Sequence, residues 1–322
     1  MAYTTIDDPS AHFTTVLSTS TGSALTIDTG FKPDWLWTKA RNFARSHELH
    51  DTTRGDNKRL KSDATTAEES YSNYLAFTST GATFGTNHNL GYHTEGATTG
   101  VSWAWKANGG SRTTFTESGD NPGGGYQANT TAGFSIVDFV GTGANGTVQH
   151  GLGVAPRWYI VKNRDRSANW QIYHQDNNNT HFIKLNESGA KIDNHEIFND
   201  TSPTSSVFSV GIDQSVNFNG EDHIAYVFAE IQGYSKFGSY TGNGSTDGAF
   251  VYTGFSPAWV MVKRTDSGNN WHMHDNKRVT HNSNDKTLYA NLSNVEATED
   301  FDMLSNGFKL RESGGGYNAS GG

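Results

Sequence analysis

The chain has 322 residues, no cysteine and a formal net charge of −9. Disulfides, zinc–thiolate centres and a thiol nucleophile are thereby excluded, and an acidic balance without a long basic run disfavours a general nucleic-acid binder. Aromatic residues reach 12% and glycines number 36 against 6 prolines, which fits two or three packed domains of short strands and glycine-rich turns rather than a disordered chain.

The N-terminus, "MAYTTIDDPSAHF", lacks the basic and apolar regions of a secretory signal. No apolar run nears the roughly 20 residues that span a bilayer. A soluble protein made in a cytoplasm, without membrane insertion, is expected. "HFTTVLSTSTGS" reads as an alternating strand and a turn. "GFKPDWLWTKAR" is a short aromatic strand behind a Gly/Pro turn. The densest basic stretch, "RGDNKRLK" (54–61), reads as a solvated loop. "SDATTAEES" (62–70) alone has helical character, and "GVSWAWKA" (100–107) is a buried strand. "ANGGSRTTFTESGDNPGGG" (107–125) has the composition of an exposed linker.

Then the pattern returns. "GFSIVDFVGTGANGT" and "GYSKFGSYTGNGST" repeat the opening strand and turn. "GVAPRWYIVKNR" and "GFSPAWVMVKR" repeat the proline–tryptophan strand. Taking Pro33, Pro156 and Pro257 as origins, Trp35, Trp158 and Trp259 follow two residues on, and Lys39, Lys162 and Lys263 six residues on. Fourteen on stand His47, Trp170 and Trp271. Seventeen and eighteen on stand His50-Asp51, Tyr173-His174 and His274-Asp275. Phe84, Phe208 and Phe308 recur further down, and Trp103 and Tyr226 both lie seventy residues on.

This register predicts an all-β protein of three tandem homologous antiparallel β-sandwich modules of jelly-roll or lectin-like type: 1–110, 111–232 and 233–322. The second begins with the linker, while the second and third join more tightly around 230–238. In the third, the strand seventy residues on would start beyond Gly322. The third module is therefore expected to lack its last strand, as a fragment of a longer chain would. A strand donated by another chain and a tolerated gap are the alternatives.

The repeat also weighs the candidate sites. His272 and His274 share a strand face, with Asp275 beside them, and form a weak metal candidate. Because the residue types change between copies, a structural strand is the preferred reading and no metal is expected. Trp170 and Trp271 follow Asn169 and Asn270 in polar loops, a pattern suited to stacking on a sugar. The competing reading has each tryptophan covering its own module. Lys39, Lys162 and Lys263, followed by Arg41, Arg164 and Arg264, read as guards of a strand edge. Glu48, Glu68, Glu69, Asp165 and Asp176 do not recur as the facing pair a glycosidase needs. No catalytic residue, cofactor or enzymatic activity is expected.

Taken together, "MAYTTIDDPSAHF", "GFKPDWLWTKAR", "HGLGVAPRWYIVKNRD", "YVFAEIQGYSKFGSYTGNGSTDGAFVYTGFSPAWVMVKR" and "DMLSNGFKLRESGGGYNASGG" resemble repeat-containing structural proteins of marine tailed bacteriophages, podovirus-like and cyanophage-like. The resemblance covers essentially the whole chain. It implies a virion component on the tail or particle surface, with other virion proteins as partners. A tail fibre attaching to host surface glycans is the leading expectation, and by analogy with such fibres a homotrimer. A capsid-decoration or tail-scaffold protein and a polysaccharide depolymerase are the alternatives. The resemblance supplies no catalytic residue.

Overall fold

The computed structural model describes residues 4–90 and 97–322. The first segment holds β1 (Phe13–Thr19), β2 (Leu25–Asp28), β3 (Trp35–Ala40), β4 (Glu48–Asp51), β5 (Lys58–Arg59), β6 (Glu69–Ser70), β7 (Leu75–Phe77), β8 (Gly81–Phe84) and β9 (Thr99–Trp105). The second holds β10 (Thr113–Phe115), β11 (Gly123–Asn129), β12 (Phe134–Val140), β13 (Gly146–Gln149), β14 (Trp158–Asn163), β15 (Gln171–His174), β16 (His181–Lys184), β17 (Ile192–Asp193), β18 (Val207–Val210) and β19 (Asp222–Phe228). The third holds β20 (Phe250–Tyr252), β21 (Trp259–Lys263), β22 (Trp271–Asp275), β23 (Asn284–Tyr289), β24 (Ala297–Leu304) and β25 (Gly307–Leu310). Among the described residues, α-helix is confined to two four-residue turns, α1 (His195–Phe198) and α2 (Gln214–Asn217). The protein is all-β, and its strands pair antiparallel.

Among the described residues, no sheet draws strands from two segments. The first orders β1-β9-β3-β4 beside β2-β8-β7. The second orders β10-β11-β12-β19-β14-β15-β16-β17 beside β13-β18. The third orders β20-β25-β24-β23-β22-β21. The sequence register maps onto this topology. β3, β14 and β21 carry the recurring tryptophans, and β4, β15 and β22 hairpin onto them. β9 lies between β1 and β3, as β19 lies between β12 and β14. The glycine three residues before each proline has a backbone reason. Gly30, Gly153 and Gly254 have φ of 78°, 75° and 87°, a region costly for a residue with a Cβ.

Each segment has its own apolar cluster. Phe84 and Leu36 lie in the first, Phe208 and Tyr159 in the second, Phe308 and Val260 in the third. A further cluster is shared by all three. It joins Trp35, Trp37 and Trp103 to Trp158, Trp170 and Tyr226, and to Trp271 and Met273. Trp35 stacks on Tyr226 at 4.3 Å between centroids.

Matching hydrogen bonds close the segments into a ring around this shared core. Glu68 N–H donates to Arg164 O (2.7 Å), Lys191 N–H to Thr265 O (2.9 Å) and Glu296 N–H to Arg41 O (2.8 Å). The residues fourteen past each proline repeat the cycle. Trp170 Nε1 donates to Lys61 O (2.8 Å) and Trp271 Nε1 to Lys184 O (3.0 Å). His47 accepts at Nδ1 from Trp37, so its Nε2 donates to Tyr289 O (2.9 Å). Thus the second segment reaches the first, the third reaches the second, and the first reaches the third.

Buried charges seal two of the junctions. Asp51 and Asp275 each accept from the N–H and Nε of the arginine three residues on, Arg54 and Arg278. Each also accepts from an aromatic of a neighbouring segment: Tyr226 Oη to Asp51 Oδ2 (2.7 Å), and Trp103 Nε1 to Asp275 Oδ2 (3.1 Å). All four charged side chains are fully buried.

Several sequence expectations need correction. "RGDNKRLK" is not a solvated loop, because Arg54 and Arg59 are buried against Asp51, Glu48 and Glu69. "SDATTAEES" forms no helix; Glu68 is held by Arg54 and Arg164, and Glu69–Ser70 is β6. Residues 107–125 are not a free linker. They supply β10 and the start of β11, whose glycines allow close strand approach. A Cβ on Gly124 would sit 2.1 Å from Asp138 O.

Lys39 and Lys162 do not guard an edge either. They are 1% and 0% exposed. Their ammonium groups donate to the carbonyls of Ala40 and Ser293, and of Asn163 and Arg166. Lys263 is half-buried and donates to Arg264 O. Burial pulls Lys39, Lys162 and Lys263 down to about 8, 7 and 8. Finally, no strand forms between the turn at Ile231–Ser235 and β20, where the opening strand of the third copy was expected. Its counterparts β1 and β12 pair with β9 and β19; among the described residues no strand pairs with this stretch.

Arg54→Met should destabilise the chain by roughly 3–5 kcal/mol, because Asp51 would stay buried without its counter-charge. Tyr226→Phe should cost about 1–3 kcal/mol for one lost bond to that carboxylate. Equilibrium denaturant unfolding measures both, and a loss under about 1 kcal/mol from Arg54→Met would contradict the buried pair.

The lysines predict a pH dependence. In the unfolded chain a lysine titrates near 10.5, above its folded value here. From about pH 7 to 10 the unfolded state therefore binds more protons, and stability rises with pH. Lys162→Met should flatten that rise in thermal melts; an unchanged slope would show that Lys162 does not contribute.

Candidate functional site

β3 and β14 are buried at every position, whereas β21 alternates half-buried and buried. The cause is topological. β3 and β14 lie inside their sheets, between β9 and β4 and between β19 and β15, but β21 ends its sheet and pairs with β22 alone. Beside its free edge runs a cavity of about 840 Å³. Trp105, Trp158, Phe228, Phe237 and Trp259 line it. Trp259 meets Trp105 edge-on at 5.5 Å, and Trp158 stacks on Phe237 at 6.2 Å. Sequence reasoning placed Trp259 in a core like Trp35 and Trp158. It instead forms part of an open apolar wall, because among the described residues no strand pairs with the outer edge of β21.

The groove is basic at its margins. Lys191, Lys236, Lys263, Arg264 and Lys277 line it with Asp176, but Lys236 is paired with Glu230 and Arg264 with Asp266. His174 also lines it, at the position that Asp51 and Asp275 hold elsewhere in the register. Its Nδ1 accepts from Asp176 N–H (3.2 Å), which puts the proton on Nε2. Burial lowers the pKa of this imidazole. The arginine clamp is absent here too: Asn177 stands where Arg54 and Arg278 stand.

The tryptophans proposed for sugar stacking are not exposed. Trp170 is 0% and Trp271 4% exposed, and both indole N–H groups are used at segment junctions. Asn169 and Asn270 accept from Asn186 and Asn291, whose own side chains cap Trp170 N–H and Trp271 N–H. These asparagines order the hairpins. The reading in which tryptophan serves packing is the one the geometry supports, although each covers a neighbouring segment as well as its own.

The histidine pair is likewise taken up in packing. His272 Nδ1 lies 2.6 Å from Glu299 Oε2. His274 stacks on Phe301 at 4.2 Å, and burial, Arg278 and His272 hold it far below its ordinary pKa. Asp275 is committed to Arg278 and Trp103. These three do not converge on a common point.

A different set does converge. Glu48, His50 and His88 are buried with their ligand atoms within 4.8 Å of one another. His88 Nε2 lies 3.0 Å from Glu48 Oε2, and His50 Nε2 3.6 Å from it. Burial alone would raise the Glu48 carboxyl, but the imidazoles of His88 and His50 outweigh it and hold it well below its usual range. Sequence reasoning missed His88 because no partner copy carries it; the loop 85–90 alone brings it across.

The tautomers decide what this cluster can do. His50 Nδ1 donates to Lys58 O (2.7 Å), leaving a lone pair on Nε2. His88 Nδ1 accepts from Leu90 N–H (3.0 Å), so its proton sits on Nε2. Glu48 Oε1 already accepts from Arg59, Tyr74 and Asn89. The cluster thus offers an ion two lone-pair donors and faces it with one N–H, which suits a self-contained hydrogen-bond network better than a metal.

The chain matches the family DUF7483, described as a domain of unknown function, over residues 8–322, and belongs to that family. No curated protein matches it, and no solved structure does. No helix among the described residues is long and apolar enough to cross a membrane.

Zinc or manganese should leave the thermal midpoint unchanged. A saturable rise abolished by His88→Ala would reassign Glu48, His50 and His88 as a metal site.

Proposed function

We propose that this protein is a structural component of a tailed-bacteriophage particle that works by holding other proteins, with its three segments as copies of one β-sandwich module of jelly-roll type. The observation that supports this best is the closed ring of junctions around one shared core. The buried ionisable groups Asp51, Arg54, Asp275 and Arg278 are bound to one another and to aromatic donors of neighbouring segments. Such groups fix geometry and leave no free acid, base or nucleophile at those positions. The sequence resemblance to virion proteins supplies the setting, and other virion proteins are the partners.

Attachment to host-surface glycans is the second reading. It no longer rests on Trp170 and Trp271. It rests instead on Phe250 and Tyr252, which are 46% and 61% exposed on β20 and present aromatic faces to solvent.

An antibody against the recombinant chain should label purified particles of the encoding virus in electron micrographs. Label found only with soluble lysate protein would overturn the particle assignment. The recombinant chain should bind host cells only if the second reading holds, and Tyr252→Ala should then abolish that binding.

A further inference from the structure

Four side chains occupy matching positions at each junction of the ring. Between the first and second segments they are Asp51, Arg54, Glu68 and Arg164. Arg54 holds Asp51 and also reaches Glu68 Oε2 (3.3 Å). Glu68 accepts across the junction from Arg164 Nε (3.0 Å) and Nη2 (3.2 Å). Between the third and first segments they are Asp275, Arg278, Glu296 and Arg41. Arg278 holds Asp275 and reaches Glu296 Oε1 (3.0 Å). Glu296 accepts across the junction from Arg41 Nε (3.1 Å) and Nη2 (2.9 Å). Glu68 and Glu296 are equivalent because the backbone N–H of each also donates to the carbonyl of that same arginine.

Between the second and third segments the same positions read His174, Asn177, Lys191 and Thr265. The backbone still matches, with Lys191 N–H donating to Thr265 O (2.9 Å). The side chains do not. His174 Nδ1 turns back to Asp176 N–H, and Lys191 is exposed where Glu68 and Glu296 are only 10% and 12% exposed. Among the described residues, none of these four side chains bonds across the junction. The ion pair that joins these two segments is Glu230–Lys236, an exposed contact within the connector itself. All these side chains lie between Arg41 and Glu296, inside the chain.

We propose that the ring opens at one seam: the junction between the second and third segments parts first, while the two charged junctions keep the first segment bound to both. What crosses this seam is a set of neutral bonds. They run from Lys191 N–H to Thr265 O, from Asn269 N–H to Ser188 O (2.7 Å) and from Trp271 Nε1 to Lys184 O. The first junction has a counterpart to each, through Glu68, Ala168 and Trp170, and adds its charge network. Neutral bonds can be exchanged for bonds to water at small net cost. Parting a glutamate from two arginines, one of them fully buried, strands charge in poorly solvated surroundings. Local opening therefore selects the seam without charges.

Native-state hydrogen exchange of the full chain at low denaturant tests this. The amides of Lys191 and Asn269 and the indole N–H of Trp271 should exchange about tenfold or more faster, relative to their intrinsic rates, than those of Glu68, Ala168 and Trp170. The Glu296 amide should group with the slow set. Lys191→Glu combined with Thr265→Arg installs the pair that the other junctions carry, and should slow the seam amides by about threefold or more. Neither single substitution should do so. Equal protection at the three junctions, or earlier exchange at either charged one, would overturn the proposal. A fast seam that the double substitution leaves unchanged would overturn its electrostatic cause. The ordering in the unsubstituted chain decides the matter even where a variant fails to fold, and it is independent of the particle assignment.

Discussion

The structure depends on burying carboxylates where three segments meet. Asp51 and Asp275 lie in apolar surroundings, where an isolated charge would cost several kcal/mol. Each is tolerated because its hairpin supplies an arginine from three residues on, and a neighbouring segment supplies an aromatic donor. Neither segment completes such a site alone. The bonds thus tie the position of one sheet to the position of the next, and the shared core of Trp35, Trp158, Tyr226 and Trp271 packs in the space they define.

The same constraint explains why buried lysines persist at the end of β3 and β14. An ammonium at the strand end donates to the carbonyls of Ala40 and Ser293, and of Asn163 and Arg166. It is an electrostatically costly way to satisfy backbone, and burial depresses these groups accordingly. A solvent-exposed turn would not need it. Its recurrence marks turns that are enclosed by the next segment.

The all-β class and the recurring strands were legible because tryptophan, proline and glycine keep fixed spacing where the backbone requires them. Gly30, Gly153 and Gly254 show the reason directly, in their positive φ. The junctions were not legible. A register aligns equivalent residues, but Trp170 and Trp271 earned their place by reaching carbonyls more than eighty residues away, which no local pattern encodes. The same gap misdirected the candidate site: an indole behind an asparagine loop looks identical in sequence whether it meets sugar or a neighbouring sheet. The aromatic wall beside β21 needed three dimensions to see, since Trp105, Trp158 and Trp259 come to it from three different segments. Glu48, His50 and His88 were half visible, the first two on one strand and the third across a loop outside the repeat.

Having the threefold arrangement inside one polypeptide has a consequence for what can change. Three identical chains around an axis would carry three equal edges, all filled or all vacant. Here the three positions are different sequence, so two can be sealed while the third diverges, with His174 and Asn177 in place of the acid and arginine. Equivalent positions carried on one chain can therefore change singly, as His174 and Asn177 have, while the acid–arginine pairs at the other two stay in place.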